Sequence, residues 1–160
     1  MAAEVLELEG LAIRIGEGQR LIGADLGAKT IGLALSDVER RIATPLETIR
    51  RTKFATDAAR LAALIEKFDV AALVIGLPLN MDGSEGPGAQ SARAFARNFG
   101  PLSARPCVFW DERLSTVAVT RSLIAQDVSR AKRAAVVDGM AAAFILQGAL
   151  DRLRLLGQAA

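Results

Sequence analysis

From Arg20 onward the chain alternates short apolar runs with polar punctuation. Leu21-Ile22-Gly23-Ala24-Asp25 reads as a strand, Gly27-Ala28-Lys29 as a tight turn, and Ile31 to Leu35 as the returning strand. Runs this close in sequence pair as an antiparallel hairpin. A third strand is expected around Leu46 to Arg50, after Pro45. From Asp57 to Phe68 the apolar positions Ala58, Leu61, Ala62, Leu64, Ile65 and Phe68 recur at helical spacing. Val70 to Ile75 is an unbroken apolar run closed by Gly76-Leu77-Pro78, which suits a strand buried on both faces. Asn80 to Gly88 is dense in glycine and turn formers, so a long loop is expected there, either mobile or holding a ligand. A helix from Ala89 to Phe99, a strand from Cys107 to Trp110 and a helix from Ser115 to Gln126 follow. A final helix runs from near Ala134 to about Leu153.

The order is a three-stranded meander, then helix, strand, helix, strand and two helices. Hairpin-linked strands run antiparallel, whereas strands joined through helices run parallel. The expectation is an α/β sandwich of the ribonuclease H type: a mixed five-stranded sheet with helices on both faces. Residues 20–160 form that domain. Residues 1–19 carry four glutamates, with Leu11, Ile13 and Ile15 alternating against short or charged side chains, and are expected to form an acidic arm or an extra edge strand.

Composition narrows the chemistry. The 160 residues include no histidine, no tyrosine and one cysteine, Cys107. Mechanisms that need an imidazole, including Ser-His and Cys-His pairs and most zinc sites, are excluded. A lone cysteine forms no internal disulfide, which fits a reducing compartment, and no signal-like segment opens the chain, so a cytoplasmic setting is expected. The apolar run from Ala134 to Leu150 is interrupted by Asp138 and Gln147, and it is expected to be a buried helix rather than a membrane span.

Four acids fall where side chains converge in such a sheet. Asp25 ends the first strand, Asp111 and Glu112 end the last, and Asp138 lies early in the final helix. Clustered carboxylates repel one another unless cations lie between them. Mg²⁺ or Mn²⁺ suits oxygen ligands, and Asp25, Asp111 and Asp138 are the expected metal ligands. Each acid also has a plainer reading: Asp25 as a turn former, Glu112 paired with Arg113 or Arg121, Asp138 as a cap or bridged to Arg133. Asp111 and Glu112 are strand neighbours, so at most one faces the site.

The net charge of +2, from 20 Lys+Arg and 18 Asp+Glu, hides uneven patches. Arg93 to Arg133 carries eight basic residues against three acidic, and Arg40 to Arg60 six against two. Basic clusters attract a phosphate backbone without reading sequence. Arg113 beside the acidic pair is the expected phosphate clamp, and Arg130, Lys132 and Arg133 flank the approach to Asp138. Lys29 lies in a hairpin turn that resembles the first phosphate motif of the actin and sugar-kinase superfamily. It is not a Walker A sequence, and one domain lacks the two-domain cleft that nucleotide-driven phosphotransfer needs.

Asp25-Leu26-Gly27 with Lys29 and Gly32-Leu33-Ala34, then Ile75-Gly76-Leu77-Pro78, Met81-Asp82-Gly83, Asp111-Glu112-Arg113-Leu114-Ser115-Thr116, and Asp138 before Ala141-Ala142 together resemble the YqgF family. The resemblance spans Arg20 to Leu153 in order. It implies a ribonuclease H fold, a divalent metal held by Asp25, the Asp111-Glu112 pair and Asp138, and maturation of the 5′ end of small-subunit ribosomal RNA in the bacterial cytoplasm. Junction resolvases of the wider superfamily carry an acid where this chain has Gly76-Leu77-Pro78, which leaves three carboxylate positions. The expected activity is that of a metal-dependent endonuclease on structured RNA, as a monomer or weak homodimer with no membrane partner. The competing expectations are a resolvase of branched DNA and a non-catalytic RNA-binding assembly factor.

Overall fold

The computed structural model describes residues 5–114 and 130–158, with side-chain surroundings for all of these except 5, 6, 14, 130–138 and 158. The expected helix at Ser115 to Gln126 lies outside the described residues. Strands β1 (Val5–Leu6), β2 (Arg20–Leu26), β3 (Thr30–Ser36), β4 (Ala43–Arg50), β5 (Val70–Leu77) and β6 (Cys107–Asp111) form one sheet in the order β1-β6-β5-β2-β3-β4. β2, β3 and β4 are antiparallel neighbours, whereas β5 runs parallel to both β2 and β6. This is the expected ribonuclease H-like mixed sheet of five strands, extended by the two-residue β1, which pairs parallel to β6.

Helices α2 (Phe54–Lys67) and α3 (Pro87–Ser103) cover one face. Their apolar stripes bury Leu61, Ile65, Phe95 and Phe99 against Ile22, Ala24, Leu73 and Ile75. The opposite face is covered by α4 (Arg130–Gln158), whose Ala142, Ile145, Leu146 and Ala149 pack on Leu21, Ala72, Val74 and Trp110. The alternation of Leu21 and Ile22 between these two cores follows from the period of two in a strand. No described helix is long and apolar enough to cross a membrane. Gln147, which interrupts the apolar run of α4, stitches the helix to the sheet edge: its Nε2 donates to the Arg41 carbonyl at 2.8 Å, and its Oε1 accepts from the Ala43 N–H at 2.9 Å.

The alternating positions Leu11, Ile13 and Ile15 do not make a strand. They belong to helix α1 (Leu8–Arg14) and its cap, which buries Leu8 and Leu11 in the α4 core and leaves Ile13 exposed. Leu8 and Leu11 share a helical face at a spacing of three, and burying that pair outweighs the period-two pattern on either side of it. Arg40 then anchors the end of the arm by donating to the carbonyls of Gly16 (3.1 Å) and Gln19 (2.7 Å).

α4 approaches the sheet through a glycine. A methyl group at Gly23 would lie 2.7 Å from Leu146 Cβ and 2.9 Å from the Ala142 carbonyl oxygen, neither of which can swing aside. Gly23→Ala is therefore expected to destabilise the fold by about 1–3 kcal/mol, the usual cost of overpacking. Gly157→Ala, at the exposed end of α4 with nothing within 4 Å of the new methyl, is expected to stabilise by about 0.4–1 kcal/mol. Urea unfolding at an unchanged m-value reads both shifts.

Candidate active site

The carboxyl ends of β2, β5 and β6 lie side by side, the place where open α/β sheets gather ligands. Asp25 pairs with Gly32 near the end of β2, and the hairpin closes when Gly27 N–H donates to the Thr30 carbonyl at 2.8 Å. Strand alternation assigns the face of Asp25. Ala24 belongs to the α2/α3 core, so half-buried Asp25 points to the α4 side, as Leu21 does. The β2–β5 pairing runs to Ala24 opposite Ile75, one step short of Asp25 and Gly76.

Gly76 is where the second acid arrives. A methyl group there would lie 2.5 Å from Ile145 Cδ1 of α4 and 3.4 Å from the carboxyl carbon of Glu112. Glu112 begins the single 3-10 turn (Glu112–Leu114) that follows β6, and this turn carries its carboxyl back over Gly76 on the α4 face. Glu112 and Asp25 thus lie on the α4 face at the ends of the two strands that flank β5.

Asp111 goes elsewhere. It pairs with Leu77, on the register that places it with the α2/α3 face, and Arg113 takes up its carboxylate. The Arg113 Nε donates to both carboxylate oxygens at 3.1 Å, Nη2 donates at 2.7 Å, and the Arg113 N–H donates at 2.9 Å. This guanidinium holds the Asp111 carboxyl below the usual carboxylate range. Of the two neighbours expected to compete for the site, Glu112 reaches it and Asp111 is engaged by arginine.

Arg113 also reaches the loop after β5. Its Nη1 donates to the Met81 carbonyl at 3.3 Å. The loop is closed on itself as well: Asn80 N–H donates to the Ser84 carbonyl at 2.9 Å, and Gly83 N–H to the Asn80 carbonyl at 2.8 Å. Asp82 accepts from the Ser84 N–H and hydroxyl, which holds its carboxyl low. Glu85 pairs with Arg93 at 2.7 Å, and the Arg93 guanidinium lies 5.0 Å from the Phe109 ring centre. The glycine-rich segment, expected to be mobile or ligand-bound, is braced by these bonds.

Asp138 lies in α4 one turn before Ala142 and two before Leu146, the residues that meet Gly23. Position 138 therefore falls on the helix face turned to β2. Arg130, Lys132 and Arg133 lie in the first turn of the same helix, and their side chains are outside the description. Among the described residues no three metal-ligating side chains come together. Lys29 is exposed at the hairpin tip. Cys107 is buried at the start of β6, opposite Leu73 of β5, and burial pushes its thiol up to about 11, so it supplies no thiolate.

The chain matches the family model described as RuvX, Holliday junction resolvase, over residues 19–152. That interval coincides with the stretch on which the YqgF resemblance is drawn. It is 71% identical over 154 residues to a protein of Methylocella silvestris, covering 96% of both chains, and 72% identical over 153 residues to one of Beijerinckia indica, covering 96% of this chain and 93% of the relative. Both bear the name "Putative pre-16S rRNA nuclease". Among solved structures it is similar to Thermus thermophilus RuvC at 15% identity and a TM-score of 0.53, over 85% of this chain and 97% of that one. That likeness is one of fold.

The Asp111–Arg113 pair makes a prediction about the loop. Asp111→Asn is expected to speed hydrogen exchange at the Gly83 and Ser84 amides while leaving the sheet amides protected. A carboxyl held below its ordinary value of 3.8 keeps its contribution above that value and loses it as pH falls through the depressed one. In the unsubstituted protein loop protection should therefore hold constant from neutral pH down to about 4 and fail only below that.

Proposed function

The chain belongs to the RuvX family, and from that footing we propose that it is a divalent-metal-dependent endonuclease that hydrolyses phosphodiester bonds of structured RNA, namely the 5′ region of the small-subunit ribosomal RNA precursor. The observation that carries the reading is that Asp25 and Glu112 share the α4 face at the ends of the two strands flanking β5, beneath the helix that carries Asp138. The substrate is inferred from the name shared by the similar bacterial proteins.

The donor set fits the proposed metal. Carboxylate oxygens without imidazole or accessible thiolate are what Mg²⁺ and Mn²⁺ prefer. We assign Asp25, Glu112 and Asp138 to hold it. Asp111, expected from sequence as a ligand, instead fixes Arg113. When bound, the metal supplies Lewis-acid activation of the attacking water and of the phosphodiester. The protein's own contribution is to place acids at the end of a rigid sheet, where Gly76 leaves room for Ile145 of α4 and for the Glu112 carboxyl. Hydrolysis adds the water oxygen to phosphorus and breaks the bond to one ribose oxygen, which takes a proton from solvent because no histidine is present.

Arg113 and the basic start of α4, Arg130 and Arg133, flank this edge and hold the RNA backbone near it, with Lys29 on the hairpin side. In this reading Arg113 acts through position, since Asp111 and Met81 already orient its guanidinium. The cytoplasmic setting and the absence of a membrane partner follow from the substrate. A single site per chain is enough for RNA cleavage, so a monomer or weak homodimer suffices.

The RuvC-like fold keeps branched DNA as the second reading. Cutting opposed strands of a junction needs two sites, so that reading requires a stable dimer and the RNA reading does not. The test is cleavage of a precursor fragment and of a four-way DNA junction in Mg²⁺ or Mn²⁺. Asp25→Asn, Glu112→Gln and Asp138→Asn are each expected to lower RNA cleavage by roughly 100-fold or more, beyond what outer partners of a metal site cost, and Asp111→Asn by about 10-fold or less. Cleavage that survives undiminished in Asp25→Asn and Asp138→Asn rejects the catalytic assignment. Growth supported by those variants, with normal RNA binding, selects the non-catalytic assembly role.

A further inference from the structure

We propose that the hollow between the β2–β3 hairpin tip and the end of β4 is a seat for the RNA phosphate backbone flanking the cleaved bond, built by Lys29, Arg50 and Arg51; the inference rests on the nuclease reading and adds a binding surface to it. The hollow measures about 500 Å³ and is lined by Ala28, Lys29, Thr30, Arg50 and Arg51. Its lining is cationic and contains no acid.

Backbone bonds make this surface one rigid piece. Thr30 pairs with Arg50 across β3 and β4, Arg51 N–H donates to the Lys29 carbonyl at 2.8 Å, and Gly27 N–H closes the tip on Thr30. The Arg51 Nη1 donates to the Gly27 carbonyl at 2.7 Å, so this guanidinium is oriented before any ligand arrives. A fixed guanidinium plane lowers the entropy lost on gripping a phosphate. Gly27 is two residues beyond Asp25, about 7 Å along a strand. The seat is therefore mechanically continuous with the acid it would serve.

Charge argues the same way. Arg41, Arg60, Arg93, Arg113 and Arg154 each sit 2.6–3.3 Å from a carboxylate of this chain. Lys29 and Arg50 make no side-chain hydrogen bond or ion pair among the described residues, and Arg51 binds only a carbonyl. The acids nearest Arg50 and Arg51 in sequence are already engaged. Glu47 is held by Arg60, and buried Asp57 accepts from the Thr52 N–H at 3.2 Å. Three neighbouring cations on a stiff turn repel one another, and a polyanion relieves that repulsion.

The sheet order gives the seat a direction. Arg113 and the loop from Leu79 to Glu85 stand beyond β5 and β6, on the Glu112 side, whereas Lys29, Arg50 and Arg51 stand beyond β2, on the Asp25 side. A strand crossing the edge from the first group to the second passes the carboxyl ends of β6, β5 and β2 in turn. No side chain in the hollow is arranged to read bases, so the grip is on phosphate and indifferent to sequence.

The experiment is binding of a labelled precursor fragment to the full chain, in EDTA to prevent cleavage, across 50–200 mM KCl. Lys29→Ala/Arg50→Ala is the variant of choice, since neither side chain bonds to the described residues, and an unchanged melting temperature verifies its fold. It is expected to bind about 10-fold more weakly or worse, equally for unrelated RNA sequences, with the slope of log K against log salt reduced by about one to two. Arg60→Ala, which removes a cation paired to Glu47, should leave affinity and slope unchanged. Unaltered slope and affinity in the double variant overturn the seat, and normal RNA cleavage by that variant shows that the nuclease reading survives its loss. Failure of the unsubstituted chain both to bind and to cut RNA removes the reading and the seat together. Equal binding of polyglutamate, lost equally in the variant, marks a general polyanion patch and also overturns the proposal.

Discussion

Everything at the sheet edge depends on how closely α4 lies on β2 and β5. Gly23 lets the Ala142 carbonyl and Leu146 reach backbone distance of the sheet, and Gly76 does the same for Ile145. A side chain at either point would lift the helix. Lifting it would separate position 138 from Asp25 and open the core built from Leu21, Val74, Ile145 and Leu146. Close packing of this kind tolerates little adjustment, because interiors are dense and a methyl-sized intrusion has nowhere to go. The constraint that stabilises the α4 core thus also fixes how α4 lies over the ends of β2 and β5.

The same edge sorts its charges by face. Asp111 lies on the α2/α3 side and is neutralised by Arg113, which in turn braces the loop from Leu79 to Glu85. Asp25 and Glu112 lie on the α4 side, Glu112 beside the buried Gly76. Asp111 is thus engaged by Arg113, whereas Glu112 lies over Gly76 on the opposite face. The division follows from alternation at the end of β6, where the 3-10 turn begins at Glu112.

Much of this was legible in the residues. The strands at 20–26, 30–36, 70–77 and 107–111 and the helix at 54–67 follow from apolar periodicity, because a strand or helix buries the faces its pattern supplies. Asp25 was legible for a related reason: it is the first charge after an apolar strand and precedes a glycine turn. Glu112 was only half legible. Alternation says that Asp111 and Glu112 part company, but which of them faces α4 depends on the register of β6 against β5 and on where the strand stops. The grouping of Lys29 with Arg50 and Arg51 was not legible, since it joins residues about twenty positions apart through the β3–β4 ladder. The α1 helix was hidden by a brief alternating pattern that a helix can also satisfy when only Leu8 and Leu11 need burial.

What the sequence determined by itself was the class of fold and the class of chemistry. Apolar periods of two and 3.6 are local properties, and a chain without histidine leaves carboxylates, arginines and backbone as its reactive groups. What only the tertiary structure decided was which face each carboxylate takes and which cations, among the described residues, remain without an acid. Those outcomes depend on close approach and register between distant segments, on Gly76 beneath Ile145 and Thr30 opposite Arg50, and on an arginine already occupied by Asp111. Contacts of that kind are made by packing, and no local pattern encodes them.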